Sequence, residues 1–372
     1  MEIKTIDEGQ RHKREMLIDG ETVAHLWVID YTMRISVGEV RMAGIGDVYT
    51  QRKHRMKGYM RHLFGDTVTY MAQEGYDVSM LFGIPNFYNK FGYATCLPNF
   101  RFAVKTRDAE AARDHAEPMP SRPIELEDME AVVALYNAKN ATRTGTLVRY
   151  AETFTKFPHG THWDAEALTA LWEDVEGNLL AYAVWDRRRT EVKVAELEAQ
   201  DSTLFPTLLA FFAEQAVEKR CEAITFDMPP DHPFSEYVQR YGTVWTIAYP
   251  RYADGMMRIL NQQPLFEKLV PVFEHRLALP RAAGLLGSLT IETELGTTSL
   301  TFSEGKVKIA RGGANPERIS LPQDGLIQLL MGYRSLRDIM NSPEVTVEGD
   351  ALPMLDRLFP KDEPFVWKPD HF

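Results

Sequence analysis

A basic turn that contains a glycine is the first part of the chain whose residue types could do chemistry. Small apolar side chains alternate from Ala43 to Thr50 and predict a strand, which leads into the polar segment from Gln51 to Gly58. Apolar side chains then recur at three- and four-residue spacing from Met60 to Gly75 and predict a helix. The first turn of such a helix has unpaired N–H groups at the positive end of its dipole, so it could bind a phosphate or pyrophosphate.

The side chains of this turn suit the same ligand. Arg55 and Lys57 add positive charge, and Gly58 lets a ligand approach the backbone closely. The candidate binding residues run from the turn into the helix: Arg55, Met56, Lys57, Gly58, Tyr59, Met60 and Arg61. Taken alone, the pattern also fits a basic surface turn before an ordinary helix.

A tyrosine that follows the next elements could supply a proton. Residues Tyr76 to Phe82 predict a buried strand, and residues Pro85 to Phe91 predict a short helix that Gly92 ends. Tyr93 stands just beyond that helix. Its phenol has an unperturbed pKa of about 10 and could act as a general acid. Tyr88 is the alternative acid.

The succession of these elements, ending in FYNKFGY, resembles the GNAT superfamily of acyl-CoA N-acyltransferases. The pyrophosphate loop of that superfamily has the pattern Arg/Gln-x-x-Gly-x-Gly/Ala, which Arg55 and Gly58 match and from which Met60 departs. The resemblance implies acetyl-CoA as the co-substrate and Tyr93 as the proton donor. It also implies that the arm and thioester of acetyl-CoA lie along Val48, Tyr49, Thr50, Tyr88 and Asn89.

A second unit repeats the order of the first. The proline-rich segment from Arg107 to Pro123 predicts a connector. Beyond it, the chain predicts a strand at 191–198, a helix at 206–219 and a strand at 223–228, and PPDHPFSEYVQRYG echoes the FYNKFGY segment. The connection AQDSTLFP has no glycine and no basic residue, so we do not expect this copy to bind the co-substrate. A generic strand-helix-strand succession is the alternative reading.

A third unit begins near Asp254. Short alternating runs at 288–294, 299–303 and 306–310 predict antiparallel strands, with a hairpin turn at Ser303 to Gly305. Helical apolar spacing follows from Leu326 onward. The predicted fold class is therefore α/β (α+β), with tandem GNAT folds at 1–118 and 119–254 and an α+β domain at 255–372.

Three such units in this order resemble the enhanced intracellular survival (Eis) family of acetyltransferases, whose third domain resembles sterol carrier proteins. The resemblance implies a homo-oligomer, a hexamer, and a catalytic base formed by the α-carboxylate of the last residue, here Phe372. The tail EPFVWKPDHF has aromatic side chains that could anchor it against the body of the protein. A frayed chain end is the alternative.

Composition bounds the remaining possibilities. The chain has 372 residues, 44% of them hydrophobic and 26% charged, and a net charge of −11, which argues against general nucleic-acid binding. Cys96 and Cys221 are too few for a disulfide framework, and no metal site is suggested. No apolar run has spanning length and no signal peptide is evident, so we expect no membrane association and a cytoplasmic protein.

The opening of the chain departs from the superfamily. Residues 1–20 show no sustained helical stripe before the apolar run from Val23 to Ile29, so the helices that normally wall the acceptor site are expected to be shortened or missing. The sequence predicts an acetyl-CoA-dependent N-acetyltransferase acting on a primary amine of a small cationic molecule, aminoglycoside-like or polyamine, or on a lysine side chain. The alternatives are a non-catalytic acyl-CoA-binding or regulatory protein, and a lipid-binding protein that acts through the third domain.

Overall fold

The computed structural model describes residues 1–279, 285–313 and 315–372, which form three β-sheets flanked by helices. The strands of the first sheet are β1 (Glu2–Glu8), β2 (Arg11–Ile18), β3 (Glu21–Ile35), β4 (Gly38–Thr50), β5 (Val78–Gly83), β6 (Ala94–Thr95) and β14 (Asp254–Ile259). Their order is β1-β2-β3-β4-β5-β14-β6, in which β4 and β5 are parallel and the other neighbours are antiparallel. Helix α1 (Tyr59–Gln73) connects the parallel pair.

The second sheet has the same topology. Its strands are β7 (Asn99–Lys105), β8 (Ser121–Arg122), β9 (Ala167–Glu173), β10 (Leu179–Asp186), β11 (Val192–Ala199), β12 (Ala223–Phe226) and β13 (Thr243–Ala248). The order β8-β9-β10-β11-β12-β7-β13 again contains one parallel pair, β11 and β12, which α4 (Phe205–Glu218) connects. The predicted repeat therefore corresponds to two sheets that can be matched strand by strand.

The two sheets exchange strands along the chain. Strand β7 precedes the second unit in sequence but pairs with β12 in the second sheet. Strand β14 follows that unit but pairs with β5 in the first sheet. The chain therefore crosses between the sheets on both sides of the predicted unit 119–254, and the domain limits at 118 and 254 stay predictions.

The third sheet has the α+β character that the sequence predicts. Its strands are β15 (Gly287–Thr293), β16 (Gly296–Ser303), β17 (Lys306–Arg311), β18 (Arg318–Ser320) and β19 (Thr346–Glu348), in the order β17-β16-β15-β18-β19. Ser303 pairs with Lys306 across the predicted hairpin. The remaining helices are α2 (Thr106–Ala109), α3 (Met129–Lys139), α5 (Pro233–Val238), α6 (Gln262–Lys268), α7 (Val270–Ala278), α8 (Gln323–Leu330), α9 (Leu336–Ile339) and α10 (Leu352–Leu358).

Several predicted elements differ in detail. The short helix expected from Pro85 to Phe91 is a 3-10 turn over Tyr88–Phe91. The connector expected from Arg107 to Pro123 begins with α2 and a further 3-10 turn, Glu110–His115. The helix expected around Leu265 to Phe273 is divided into α6 and α7, because Pro271 lies in the first turn of α7, where its missing N–H is tolerated.

The first sheet is covered on both faces, which fixes where a ligand can enter. On one face, Ala43, Ile45 and Leu81 pack with Leu63 and Phe64 of α1. The opposite face, with Met42, Val78 and Met80, packs against the third unit, where Phe266, Leu269, Leu326 and Leu330 are buried. Residues 2–18 form the paired strands β1 and β2 at the edge of this sheet, so the segment in which the sequence shows no helical stripe is folded as two strands.

Candidate active site

The parallel strands β4 and β5 separate at one end and leave an opening in the sheet. Their ladder runs from the Met42–Val78 pair to the Ile45–Leu81 pair, while β4 continues to Thr50. One extra residue of β4 bulges against β3 between Gly46 and Tyr49, and Asp47 there has a φ of 45°. Such a bulge bends its strand, so β4 turns away from β5 just beyond the last β4–β5 pair. Backbone groups in such an opening are available to an extended ligand.

The predicted thioester-binding residues lie in this opening. Val48, Tyr49 and Thr50 are on β4 beyond the last pair with β5, and none of the three is buried. The predicted pyrophosphate turn follows directly. Gly58 has a φ of 81° and caps α1, with no protein atom within 4 Å of the position that a Cβ would occupy. This glycine therefore supplies both the left-handed conformation and the free space that a phosphate needs.

The side chains around Gly58 form a basic rim. Arg55, Lys57 and Arg61 are exposed, and α1 has no acidic residue in its first turn. The side chain of Met56 is also fully exposed. Beside the rim lies a cleft of about 460 Å³ along α1, lined by Gly58, Arg61, His62, Gly65, Asp66 and Thr69. The departure at Met60 has a structural reason, because this side chain, like that of Tyr59, packs against the core beneath α1.

Two residues of the 3-10 turn face the same region. The ring of Tyr88 is buried against Gly83, where a Cβ would lie 2.5 Å from it. The side-chain oxygen of Asn89 is buried and accepts no hydrogen bond from the described residues. A buried acceptor without a donor is costly, so this oxygen fits an N–H donor of a bound molecule such as the amides of the acetyl-CoA arm.

Tyr93 lies on the α1 face of the sheet and is buried. Its hydroxyl donates to Ser79 Oγ at 2.6 Å, and Ser79 Oγ donates to the carbonyl of Ala43 at 2.9 Å. Ser79 and Ala43 are paired across the β4–β5 ladder. Burial raises the pKa of Tyr93 above its ordinary value of 10, and the Ser79 hydrogen bond lowers it by less. The phenol therefore keeps its proton at neutral pH.

Phe372 lies on the opposite face of the same two strands. Its ring stacks on Tyr31 with centroids 4.9 Å apart and contacts Phe82 edge-on at 5.5 Å. Gly44 and Gly46, two residues apart on β4, make room for it. A Cβ on Gly44 would lie 2.7 Å from the Phe372 ring, and one on Gly46 would lie 3.5 Å from the Phe372 carboxyl carbon.

Phe372 also lines a large cleft near these strands. The cleft has a volume of about 900 Å³ and lies between β3, β4 and the segment from Leu147 to Pro158 of the second unit. The lining contains the basic residues Arg11, Arg41, Arg149, Lys156 and Lys268, and the acidic groups are the side chains of Asp30, Glu39 and Asp370 with the terminal carboxylate of Phe372. Arg149 is paired with Asp370 and with Glu196 behind it. Of the other basic residues, Arg41 pairs with Asp30, and Lys268 pairs with Asp77. The cleft therefore has no excess of negative charge that would attract a polycation.

Two parts of the chain match known domain families. Residues 9–96 match the acetyltransferase (GNAT) domain, and residues 290–367 match the sterol carrier protein domain. The fold and these matches define an acyltransferase: the protein is an enzyme with a GNAT acetyltransferase domain. The predicted fold class, with GNAT folds and a sterol-carrier-protein-like third domain, is confirmed.

Solved structures share the fold over nearly the whole chain. A GCN5-related N-acetyltransferase from Kribbella flavida is 18% identical with a TM-score of 0.72, covering 97% of this chain and 87% of its own. A GCN5-related N-acetyltransferase from Anabaena variabilis is 17% identical with a TM-score of 0.75, covering 97% and 89%. Eis1 from Mycobacterium abscessus is 15% identical with a TM-score of 0.65, covering 99% and 92%. No curated protein sequence matches the chain.

The described residues do not meet the requirements of a metal site, a membrane-spanning helix or a disulfide bond. Within residues 1–279, 285–313 and 315–372, no three or more His, Cys, Asp or Glu side chains are grouped as a metal site would require. Among the same residues, no helix combines the length and apolarity needed to cross a bilayer. Cys96 and Cys221 are free thiols, the first of them buried.

Sequence reasoning missed the residues that receive Phe372. Gly44 and Gly46 could have been found, because glycine at alternate positions of a strand often marks a close approach to its surface. Tyr31 and Phe82 give no comparable signal, since an aromatic residue in a strand is usually part of the core. Tyr31 and Phe82 are distant from Phe372 in sequence, and only the folding of the chain brings them into contact with it.

Proposed function

We propose that this enzyme transfers the acetyl group of acetyl-CoA to a primary amine, with Tyr93 as the proton donor and the carboxylate of Phe372 as the base. One observation carries the proposal. Tyr93 and Phe372 lie on opposite faces of β4 and β5, beside the point where these strands separate. Through an opening at that point, a thioester within reach of Tyr93 would meet an acceptor amine that enters from the face of Phe372.

Acetyl-CoA supplies the activated acyl group, and the residues of the chain hold it and move protons. The basic rim at Arg55, Lys57 and Arg61 would bind the pyrophosphate, and Asn89 would accept a hydrogen bond from the arm. As the amine nitrogen forms its bond to the carbonyl carbon, the Phe372 carboxylate takes the proton from that nitrogen. As the carbon–sulfur bond breaks, the Tyr93 phenol gives its proton to the sulfur, so charge does not accumulate.

A solvated α-carboxylate is a weak base, with an unperturbed pKa of roughly 3.3 to 3.7. The aromatic surroundings of Phe372 therefore matter, because Tyr31 and Phe82 exclude water from its surface and fix its position. Placement close to the reacting amine can offset low basicity, since effective molarities of well-oriented groups are very large. The proposal thus depends on how firmly the last residue is held.

The charge of the cleft that Phe372 lines limits which acceptor amines it would favour. With the Phe372 carboxylate included and Arg41, Arg149 and Lys268 paired with carboxylates, the charges of the lining nearly balance, so the cleft gives no strong electrostatic advantage to a polycation such as an aminoglycoside. A lysine side chain or another singly charged amine therefore fits it better than the other predicted acceptors.

An amine panel scored by thiol release tests the function. The panel would contain lysine peptides, diamines, polyamines and aminoglycosides, with acetylated products identified by mass spectrometry. We expect turnover of a lysine-type amine and loss of turnover in Tyr93→Phe. Failure to acetylate any primary amine, with acetyl-CoA binding intact by calorimetry, would contradict the proposal.

The role of Phe372 needs a separate test. One glycine appended after Phe372 moves the carboxylate away from β4 while the side chains stay unchanged. We expect most turnover to be lost and the acetyl-CoA affinity to be retained. An equal extension at Met1 is the control, and the mass of each purified protein would verify its terminus. Unchanged turnover in the C-terminally extended protein would rule out the base assignment.

Assembly and location belong to the same proposal. The resemblance to the Eis family suggests a homohexamer and a cytoplasmic enzyme, which mass photometry and cell fractionation would check. The lipid-carrier alternative finds less support, because the third unit is filled by its own buried side chains, among them Phe273, Leu300, Ile319 and Leu355. Acyl-chain binding by the intact protein would revive that alternative.

A further inference from the structure

The second sheet has an opening that corresponds to the one in the first sheet. The β11–β12 ladder runs from the Val192–Ile224 pair to the Val194–Phe226 pair, while β11 continues to Ala199. A register shift between β10 and β11 next to Val194 matches the bulge of β4. Two carboxylates, Glu196 and Glu198, stand on β11 beyond the ladder, at the place equivalent to the donor opening, and both are buried.

The end of the chain occupies this second opening. A 3-10 turn over Lys368–Asp370 contacts β11, and Trp367 is fully buried. The indole N–H of Trp367 donates to Asn140 Oδ1 at 2.9 Å, and Asn140 Nδ2 donates to Glu198 at 2.8 Å. His232 contacts the ring of Trp367 edge-on at 5.6 Å, and its Nε2 lies 3.3 Å from a carboxylate oxygen of Glu198. Glu198 therefore holds Trp367 through Asn140.

Glu196 holds Asp370 through a buried guanidinium. Arg149 donates to both oxygens of Glu196 at 2.6 and 2.5 Å, and to both oxygens of Asp370 at 2.8 and 3.0 Å. Tyr136 donates to Asp370 at 2.9 Å, and Tyr182 donates to Glu196 at 2.6 Å. The guanidinium also lies over the ring of Tyr136, 3.6 Å from its centroid. Such bidentate pairs fix orientation as well as distance.

We propose that the second unit anchors the catalytic end of the chain in its own former donor opening, with Arg149 as the positioning residue for the Phe372 carboxylate. The inference rests on the function proposed above for Phe372. Phe372 is the second residue after Asp370, and an extended chain covers at most about 7 Å over that length. Fixing Asp370 therefore confines the carboxylate to a small volume above Gly44 and Gly46.

The arrangement explains why the second unit keeps the fold without the phosphate turn. Its connection between β11 and α4 lacks glycine and basic residues, and the carboxylates beside its opening, Glu196 and Glu198, are engaged with the tail through Arg149 and Asn140. Breaking a buried charge pair usually destabilises a protein, so a loss of activity alone would not separate positioning from folding. The test needs a direct measure of the position of the tail.

The variant Asp370→Asn removes one carboxylate charge and keeps the size of the side chain, while Arg149 stays paired with Glu196. Release of Phe372 by a carboxypeptidase that prefers aromatic termini measures tail anchoring without any acetyl transfer. We expect release at least about tenfold faster than in the wild type, because one of the two bidentate contacts to Arg149 is weakened. For acetyl transfer we expect kcat to fall about a hundredfold, as a displacement near 1 Å can cause, with KM for acetyl-CoA unchanged.

The second unit offers a matched control. Arg122 also bridges two carboxylates, Asp128 and Glu173, with contacts of 2.7 to 3.0 Å, but this cluster is exposed and does not contact the tail. Asp128→Asn should therefore leave Phe372 release and kcat unchanged. If Asp370→Asn fails to fold, Tyr136→Phe removes a single contact to Asp370 and should give a smaller increase in release.

The outcomes separate the two proposals. Faster release in Asp370→Asn, with kcat lowered and KM for acetyl-CoA retained, supports anchoring of a catalytic terminus. Faster release with unchanged kcat overturns Arg149 as a positioning residue and contradicts the base role of Phe372. Release equal to the wild type in both Asp370→Asn and Tyr136→Phe overturns the anchoring itself. If the wild type acetylates no amine, the function fails while the release data still decide the anchoring.

Discussion

The ring of Phe372 stacks on that of Tyr31, with centroids 4.9 Å apart, directly above Gly44 of β4. This contact joins the last residue of the sequence to the third strand of the first sheet. It brings the carboxyl group of Phe372 over the strand pair whose other face holds Tyr93. The proposed chemistry therefore depends on a contact between residues at opposite ends of the chain.

Gly44 is the most sensitive position in this contact. A Cβ there would lie 2.7 Å from both the Phe372 ring and the Tyr31 ring, so Gly44→Ala must displace one of them. We expect kcat to fall by at least about tenfold through displacement of the terminus, and stability to fall by about 1–3 kcal/mol through overpacking. Gly46→Ala is the graded control, because its nearest contact at 3.5 Å is ordinary packing. Equal kcat values for both variants would contradict the role of this contact.

Gly58 should control acetyl-CoA binding. Its φ of 81° is strained for alanine, while the space around its Cβ position is free of protein atoms. We expect Gly58→Ala to lower stability by about 1 kcal/mol and to raise KM for acetyl-CoA, because the methyl group occupies the phosphate position. Gly9→Ala in the β1–β2 turn has a similar φ of 66° and equally free surroundings. The control should show the same loss of stability with an unchanged KM.

Tyr93→Phe should separate the two candidate acids. Removing the phenol should lower kcat by about 10²–10⁴-fold, the usual contribution of a general acid, and cost about 1 kcal/mol for the lost hydrogen bond to Ser79. Tyr88→Phe should change kcat little. Because burial raises the pKa of Tyr93, wild-type kcat should not decline from loss of this proton below about pH 10. A larger loss in Tyr88→Phe would transfer the role to Tyr88.

His371 should make stability depend on pH. Burial, followed by the charge of Lys368, lowers the pKa of this imidazole well below its ordinary value of 6.5. The unfolded chain therefore takes up a proton below pH 6.5 that the folded chain does not, and acidification favours unfolding. We expect the free energy of unfolding to fall by up to about 1.4 kcal/mol per pH unit below that point.

Urea unfolding at several pH values would measure this slope. His371→Phe keeps an aromatic ring that can stack on Phe82, as His371 does at 3.7 Å, but it cannot take up the proton. Its stability should depend less on pH than that of the wild type. His115→Phe, at an exposed position, should retain the wild-type slope. The same slope in His371→Phe and the wild type would contradict the assignment.

Local sequence signals predicted the secondary-structure elements around the basic turn well, while the binding roles of their residues stay predictions. The strand, the turn at Gly58, helix α1 and the turn before Tyr93 follow from residues within a few positions of one another, since spacing and glycine placement act locally. The sequence predicts a single helix where the structure has α6 and α7, because the helical apolar spacing continues across the break. Of the residues predicted to bind the co-substrate, Gly58 and Arg61 line the cleft along α1, while Tyr59 and Met60 pack against the core.

The sequence by itself determined the order of elements, the basic turn, the tyrosine beyond the 3-10 turn and the aromatic character of the tail. Only the tertiary structure decided that β14 joins the first sheet, that Phe372 lies on Gly44 and that Arg149 holds Asp370, which is 221 residues away. The reason is physical. Periodicity and turn propensity depend on neighbouring residues, whereas a buried ion pair or a strand exchange depends on which distant surfaces the packed core brings into contact.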